Sequence, residues 1–355
     1  MLIRCDDRHK TTNGYRLVST SAERHRTIPF CCRFLLVLGL LFASSPATAR
    51  HDEHTPLLPA EPSDIQPPDV YRLVQHTAFE LEQIRQVMGR PQPTQTPLTV
   101  LNATPRFVFE QARTLHVKSM KFLDDLEIHQ EQIDVPARGI RPSHVARMVE
   151  AAHGNIHLVM EHLQIEVHAP LFLRDPSIEP SDVFESMMNL NRQMNLLLDT
   201  PVRPPEVYAE VSSAIILAER IREARGIAPV TAPTGRSTRK VPRDVYGRLL
   251  MCARTIERIS SSAGIRGIHL RLADADAAIV PSDVFDLART VLTELQHFCE
   301  HSGLDSHARR HAYPGRYFPS HVYDRVDQLA RILEALAPSV GTEKTDVSDE
   351  REPGS

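Results

Sequence analysis

Eight times along the chain a Pro is followed by two variable residues and a Val, and in seven of the eight an aromatic comes next. The copies are Pro67-Pro68-Asp69-Val70-Tyr71, Pro105-Arg106-Phe107-Val108-Phe109, Pro142-Ser143-His144-Val145 and Pro180-Ser181-Asp182-Val183-Phe184. They continue as Pro204-Pro205-Glu206-Val207-Tyr208, Pro242-Arg243-Asp244-Val245-Tyr246, Pro281-Ser282-Asp283-Val284-Phe285 and Pro319-Ser320-His321-Val322-Tyr323. Successive Val residues lie 38, 37, 38, 24, 38, 39 and 38 positions apart. Self-similarity at so fixed a period is the signature of a repeated structural unit. The period and residues match none of the tetratricopeptide, HEAT or armadillo signatures.

Each copy opens a helical pattern. Counting the Val as zero, apolar residues return near +4, +7, +11 and +14, as in Val322, Val326, Leu329, Leu333 and Leu336. The same holds for Val284, Ala288, Val291, Leu295 and Phe298, and for Val207, Val211, Ala214, Ala218 and Ile221. Alternating steps of four and three place these side chains on one stripe of an α-helix. Pro suits a helix start because its missing N–H has no intrahelical acceptor there. The Asp or Glu that precedes most of the Val residues falls in the first turn, where it complements the helix dipole. The expected fold is all-α, with eight amphipathic helices at a period of about 38 residues.

The single 24-residue step divides the series. Copies one to four align with copies five to eight, and the first and fifth also share Ile84-Arg85 and Gly89 with Ile221-Arg222 and Gly226. Two tandem homologous four-helix units are therefore expected, at 67–200 and 201–338, after a linker at 50–66 and before a disordered tail at 339–355. The linkers within each half are long and Pro-rich. Each can either return along the helix or turn back at one end, so helix direction is left open.

Residues 1–49 carry a different message. Arg33 precedes the apolar run Phe34–Phe42, and small residues follow up to Ala47-Thr48-Ala49. A charged flank, a short apolar core and a small-x-small end describe a secretory signal peptide cut after Ala49. The stretch ahead of Arg33 is longer than such a peptide needs. The run is about half the roughly 20 residues of a membrane span, and an uncleaved anchor is the alternative. Cleavage would remove seven Lys/Arg and three Asp/Glu, moving the net charge from −4 to −8. A periplasmic or secreted protein with no membrane span after cleavage is expected, and its acidity argues against nucleic acid as a partner.

Three weak constellations stand out. On the third helix Glu150, His153 and His157 share a face, with Glu161 a turn further on, and imidazoles at i and i+4 can reach one metal ion. The competing reading is packed or solvated histidines. Glu294 and His297 form a Glu-x-x-His pair on the seventh helix, but at +10 and +13 they are expected to point outward, which argues against a di-iron bundle. The linker 307–318 concentrates Arg309, Arg310, Arg316, Tyr313 and Tyr317, a grip for an anionic ligand or an acidic surface. The bland reading is a linker whose aromatics tuck against the bundle. Finally, Cys252 at +7 and Cys299 at +15 face each other if their helices run antiparallel, which an oxidising compartment turns into a disulfide. Parallel helices would hold them about 12 Å apart along the axis and leave two buried thiols.

The chain carries no Gly-rich phosphate loop, Cys-x-x-Cys pair, haem-attachment motif or nucleophile elbow. The leading expectation is an exported, non-catalytic helical-repeat protein without a cofactor that binds or scaffolds another protein in the cell envelope. The alternative is a periplasmic small-molecule or metal-binding sensory bundle.

Overall fold

Each repeat Pro stands at the first position of a helix. In order, the elements are α1 (Pro67–Val87), β1 (Leu98–Leu101), α2 (Pro105–Asp125), α3 (Pro142–His162), α4 (Pro180–Leu197) and α5 (Pro204–Ala224). They are followed by α6 (Pro242–Ser262), β2 (His269–Leu272), α7 (Pro281–His301) and α8 (Pro319–Leu336). The computed structural model describes residues 65–92, 98–129, 139–166, 168–198, 202–231, 235–272, 278–308 and 315–338. The leader, the tail, Arg309, Arg310 and Tyr313 lie outside the described residues.

The residue before Val does more than complement a dipole. Its side chain accepts the backbone N–H three residues earlier, from Gln66 to Asp69 (3.0 Å), Glu179 to Asp182 (2.8 Å), Val241 to Asp244 (3.0 Å) and Val280 to Asp283 (2.9 Å). In α3 and α8 a histidine takes this place, with Nδ1 of His144 and His321 accepting from Arg141 and Phe318. One otherwise orphaned amide is thereby satisfied at the helix start.

The C-termini repeat a second device. Helices α1, α2, α3, α5, α6 and α7 each end in a left-handed residue: Gly89, Glu127, Gln164, Gly226, Gly264 and Gly303. The following amide then closes back onto the last turn, as in Ile128 to Leu123, Ile165 to Met160 and Ile227 to Arg222. This is a Schellman closure, with an apolar residue just beyond the turn in five of the six. Helices α4 and α8 lack it; they are shorter, at 18 residues, and leave in an extended conformation.

Helices α1–α4 pack with one another, and so do α5–α8. Around the first group the order is α1, α3, α2, α4, and around the second α5, α7, α6, α8, so consecutive pairs such as α1/α2 sit diagonally. All four helix starts of the first group meet in one ring of Pro67, Val70, Pro105, Val108, Pro142, Val145, Pro180 and Val183. The second group forms the equivalent ring. Within each group the four helices are therefore parallel, so each helix begins at the opposite end of the group from where the preceding one stops. A 21-residue helix is about 31 Å long, and a linker such as 88–104 reaches about 50 Å when extended. The +7 residues Thr77, Leu115, Ala152, Leu190, Ala214, Cys252, Val291 and Leu329 are all buried, so both interiors are filled.

Two hydrogen-bond pairs recur on the returning linkers. Val100 N donates to Glu185 and Ala103 N to Ser181 in the first group, while Ser237 N donates to Asp324 and Lys240 N to Ser320 in the second. Arg85, held by Glu82, donates to the carbonyl of Arg90, and Arg222, held by Glu219, donates to that of Ile227.

The groups lie side by side and head to tail. At the seam Arg106 near the start of α2 pairs with Glu300 near the end of α7, whereas Lys118 further along α2 pairs with Asp286 near the start of α7. Strands β1 and β2 bridge the same seam as an antiparallel ribbon, Leu98 opposite Leu272 and Leu101 opposite His269. This ribbon is absent from the all-α expectation. Its strands are four residues long, too short for alternation to show, and each finds its partner far away in the chain. Four parallel helices stack about half a charge of like sign at each end. Head-to-tail placement sets the positive end of one group beside the negative end of the other.

Parallel packing also decides the cysteines. Cys252 and Cys299 are free, buried thiols, as the parallel alternative requires, and the disulfide that antiparallel helices would have allowed is not formed. Their offsets of +7 and +15 leave them about 12 Å apart along the axis, beyond the roughly 7 Å Cα separation a disulfide spans. Burial pushes their pKa values up to about 12 and about 11, so both stay protonated at neutral pH.

Candidate functional site

The seam is polar where a bundle interior is not. Lys118 on α2 is 6% exposed, and its Nζ lies 3.2 and 3.4 Å from the two carboxylate oxygens of Asp286. Burial pulls the Lys118 pKa down, against the neighbouring Asp286 charge. Arg192 on α4 pairs with Asp283 on α7 (3.4 Å). Between them Asn191 donates to the backbone and side-chain oxygens of Gln111, whose amide reaches Thr290 across the seam (3.2 Å). Buried charge is tolerable only when paired and hydrogen-bonded, and both conditions are met by residues drawn from opposite groups.

Beside this network opens a cleft of about 500 Å³. Its walls come from α2 (Val117, Lys118, Lys121), the end of α4 (Arg192, Asn195, Leu196, Leu198), the connection into α5 (Val202, Glu206) and the start of α7 (Ala278, Val280, Ser282, Phe285). The volume falls within the roughly 300–1,000 Å³ typical of small-molecule sites, and apolar walls with a few convergent polar groups are their usual make-up. The Asn195 side-chain nitrogen is buried without a hydrogen-bond partner. Neither group of helices forms this cleft by itself.

The histidine face of α3 turns elsewhere. Glu80 of α1 inserts between the two imidazoles, its Oε1 3.2 Å from His157 Nδ1 and its Oε2 3.3 Å from His153 Nε2. Burial alone would raise the Glu80 carboxyl, but the two histidines outweigh it and hold the pKa below its usual value. Glu150 is exposed on the same helix and does not join them. Among the described residues no group of three or more His, Cys, Asp or Glu is disposed to hold a metal ion.

Of the aromatic, basic linker, the described part separates its members. Arg316 is exposed, while Tyr317 packs on Tyr208 of α5 with ring centroids 4.7 Å apart and edge-on to His321. The structure does not bring these two residues to the cleft. Glu294 and His297 do not point outward as their offsets predict. Glu294 is 1% exposed, its Oε1 accepting Ile268 N and its Oε2 unpartnered, and burial pushes its pKa up to about 8. His297 packs edge-on to Phe107 of α2, and burial drops its pKa to about 4. The reason is that α7 is covered on several sides, by its own group, by residues leading into β2 and by α2 of the other group.

The cleft residues escaped sequence reasoning because no motif joins them. Only one of them, Lys118, carried a signal in the repeat, as a member of column +10. Glu80, Lys118, Asn155, Gln193, Leu217, Thr255, Glu294 and Ile332 occupy it, and all are buried, six of them polar. No known protein family, curated protein or solved structure matches the chain. No described helix is long and apolar enough to cross a membrane.

Proposed function

We propose that the protein is an exported, non-catalytic binding protein in which the seam between two duplicated four-helix units receives a small molecule. The observation that carries this reading is the 500 Å³ cleft, whose walls require both groups of helices. The duplication, with units at 67–200 and 201–338, is supported by the matched linker hydrogen bonds and by the identical order of helices around each group. Export is supported by the charged, apolar and small-residue sequence ending at Ala49. The absence of catalytic motifs from the sequence favours binding over chemistry.

The test uses the mature chain and N-phenyl-1-naphthylamine, a neutral apolar dye that brightens in dry sites. Saturable binding of one dye per chain is expected. The cleft-filling substitution Leu196→Trp should weaken it more than tenfold while leaving the helical circular dichroism unchanged. Dye binding that ignores this substitution would overturn the reading.

A second reading, docking of a protein partner in the envelope, is favoured by one feature. Phe172 packs edge-on to His76 and Arg174 bonds to Asp69, while the alternate residues Leu171 and Leu173 are 84% and 79% exposed. An extended segment pinned on one side thus shows two leucines to solvent, as surfaces that meet another protein often do.

A further inference from the structure

We propose that the acidic segment 343–350, which follows α8, docks on the basic linker edge 236–240 of its own chain and adds a strand there, as β2 does on β1 in the other group. The comparison between the two groups needs only their shared geometry, and it stands apart from the cleft.

The residues leading into α2 lie on α4, and those leading into α6 lie on α8. Val100 N and Ala103 N bond to Glu185 and Ser181, and Ser237 N and Lys240 N bond to Asp324 and Ser320. Both stretches then pass through a left-handed residue three positions before the helix-start Pro, Asn102 (φ 61°) in one and Arg239 (φ 56°) in the other. Backbone groups of successive strand residues point to opposite sides. With Val100 turned to α4, it is Thr99 and Leu101 that meet β2, opposite Arg271 and His269. Arg236 and Thr238 hold the matching places on α8. Both are exposed, and their amides have no hydrogen-bond partner among the described residues. An edge left open in this way is a template for another extended segment.

Charge selects the segment. Arg236, Arg239 and Lys240 crowd one short edge of a chain whose net charge is −4. Lys240 lies over the Tyr323 ring (4.2 Å), and neither Arg236 nor Arg239 has an ion-pair partner among the described residues. Segment 343–350 carries Glu343, Asp346, Asp349 and Glu350 against the single base Lys344, and it contains neither Pro nor Gly. Its reach fits as well. From Leu336 back to the level of Asp324 is about 18 Å along α8, and residues 337–342 span about 20 Å when extended. Arriving from the far end of α8, the segment runs in the same direction as 236–240, which sets Glu343 beside Arg236 and Asp346 beside Arg239. An edge covered by its own chain is also closed to strand pairing with a second copy.

The experiment is amide hydrogen exchange at Arg236 and Thr238 in the mature chain. Both amides are expected to exchange at least tenfold more slowly than in the variant Glu343→Gln/Asp346→Asn/Asp349→Asn/Glu350→Gln, with the helical circular dichroism of the two proteins equal. Arg236→Glu/Arg239→Glu should lose the protection of Thr238, and adding Glu343→Lys/Asp346→Lys should restore it. Equal exchange in the mature chain and the neutralised variant would overturn the proposal. A reversed pair that restores nothing would overturn the assignment of Glu343 and Asp346 to the two arginines. Protection that fades on twentyfold dilution would place a second copy's segment on the edge and overturn docking within one chain.

Discussion

A single buried carboxyl shows how far burial, helped by a neighbouring acid, can shift chemistry in this molecule. Glu294 accepts the Ile268 amide through one oxygen, leaves the other unpartnered, and faces the like charge of Glu257. Its pKa rises from 4.5 to about 8, so the folded protein keeps it protonated at neutral pH. An acid with a raised folded pKa stabilises most below its unfolded pKa. That stability is lost as the pH climbs toward the folded value, because the unfolded chain ionises first. Thermal stability should accordingly fall between about pH 4.5 and pH 8. Glu294→Gln keeps the acceptor and removes the titration. Melting curves of the two proteins should lie close together at pH 5, and the variant should melt higher at pH 8. A constant gap across this window would refute the assignment.

At the scale of an element, the helices are distinguished by how they end. Four of the six left-handed closing positions are glycine, whereas α2 and α3 place Glu127 (φ 60°) and Gln164 (φ 56°) there. A side chain in this region crowds the following carbonyl and costs roughly 1–2 kcal/mol, and glycine escapes that cost at some loss of unfolded-state entropy. Gln164→Gly is expected to stabilise the protein by up to ~1 kcal/mol, read as a rise of a few degrees in Tm by circular dichroism. The control Gly226→Ala, at the matching closure of α5, should lower it. Starts are more uniform than ends, because Pro at the first position and an acceptor at the third satisfy the same amide in seven helices.

For the whole molecule, the decisive contacts are few and charged. Lys118–Asp286 and Arg192–Asp283 cross the seam almost wholly buried. Removing one member strands its partner, at a cost of about 3–5 kcal/mol, whereas replacing both by apolar groups is often neutral. Lys118→Met should therefore destabilise the protein severely, and Lys118→Met combined with Asp286→Leu should recover most of the loss. Urea unfolding of the single and double variants completes the cycle. A double variant no better than Lys118→Met would show that the pair is not the element joining the groups.

The eight helices of the described residues, and where each begins, were legible in the sequence, because Pro, a first-turn acceptor and the apolar steps after Val are local instructions read within one helix. One member of the candidate site, Lys118, was present there too as a polar residue of column +10, but it looks like an ordinary surface residue until a neighbour covers it. Helix direction was not legible, since linkers such as 88–104 are long enough to allow either course. From direction follow the separated cysteines, the head-to-tail seam and the burial of Glu294. Lys118 meets Asp286 across 168 positions of chain. Only the tertiary structure could decide that pairing and the cleft beside it, because both arise where two separately formed groups of helices bury their flanks against each other.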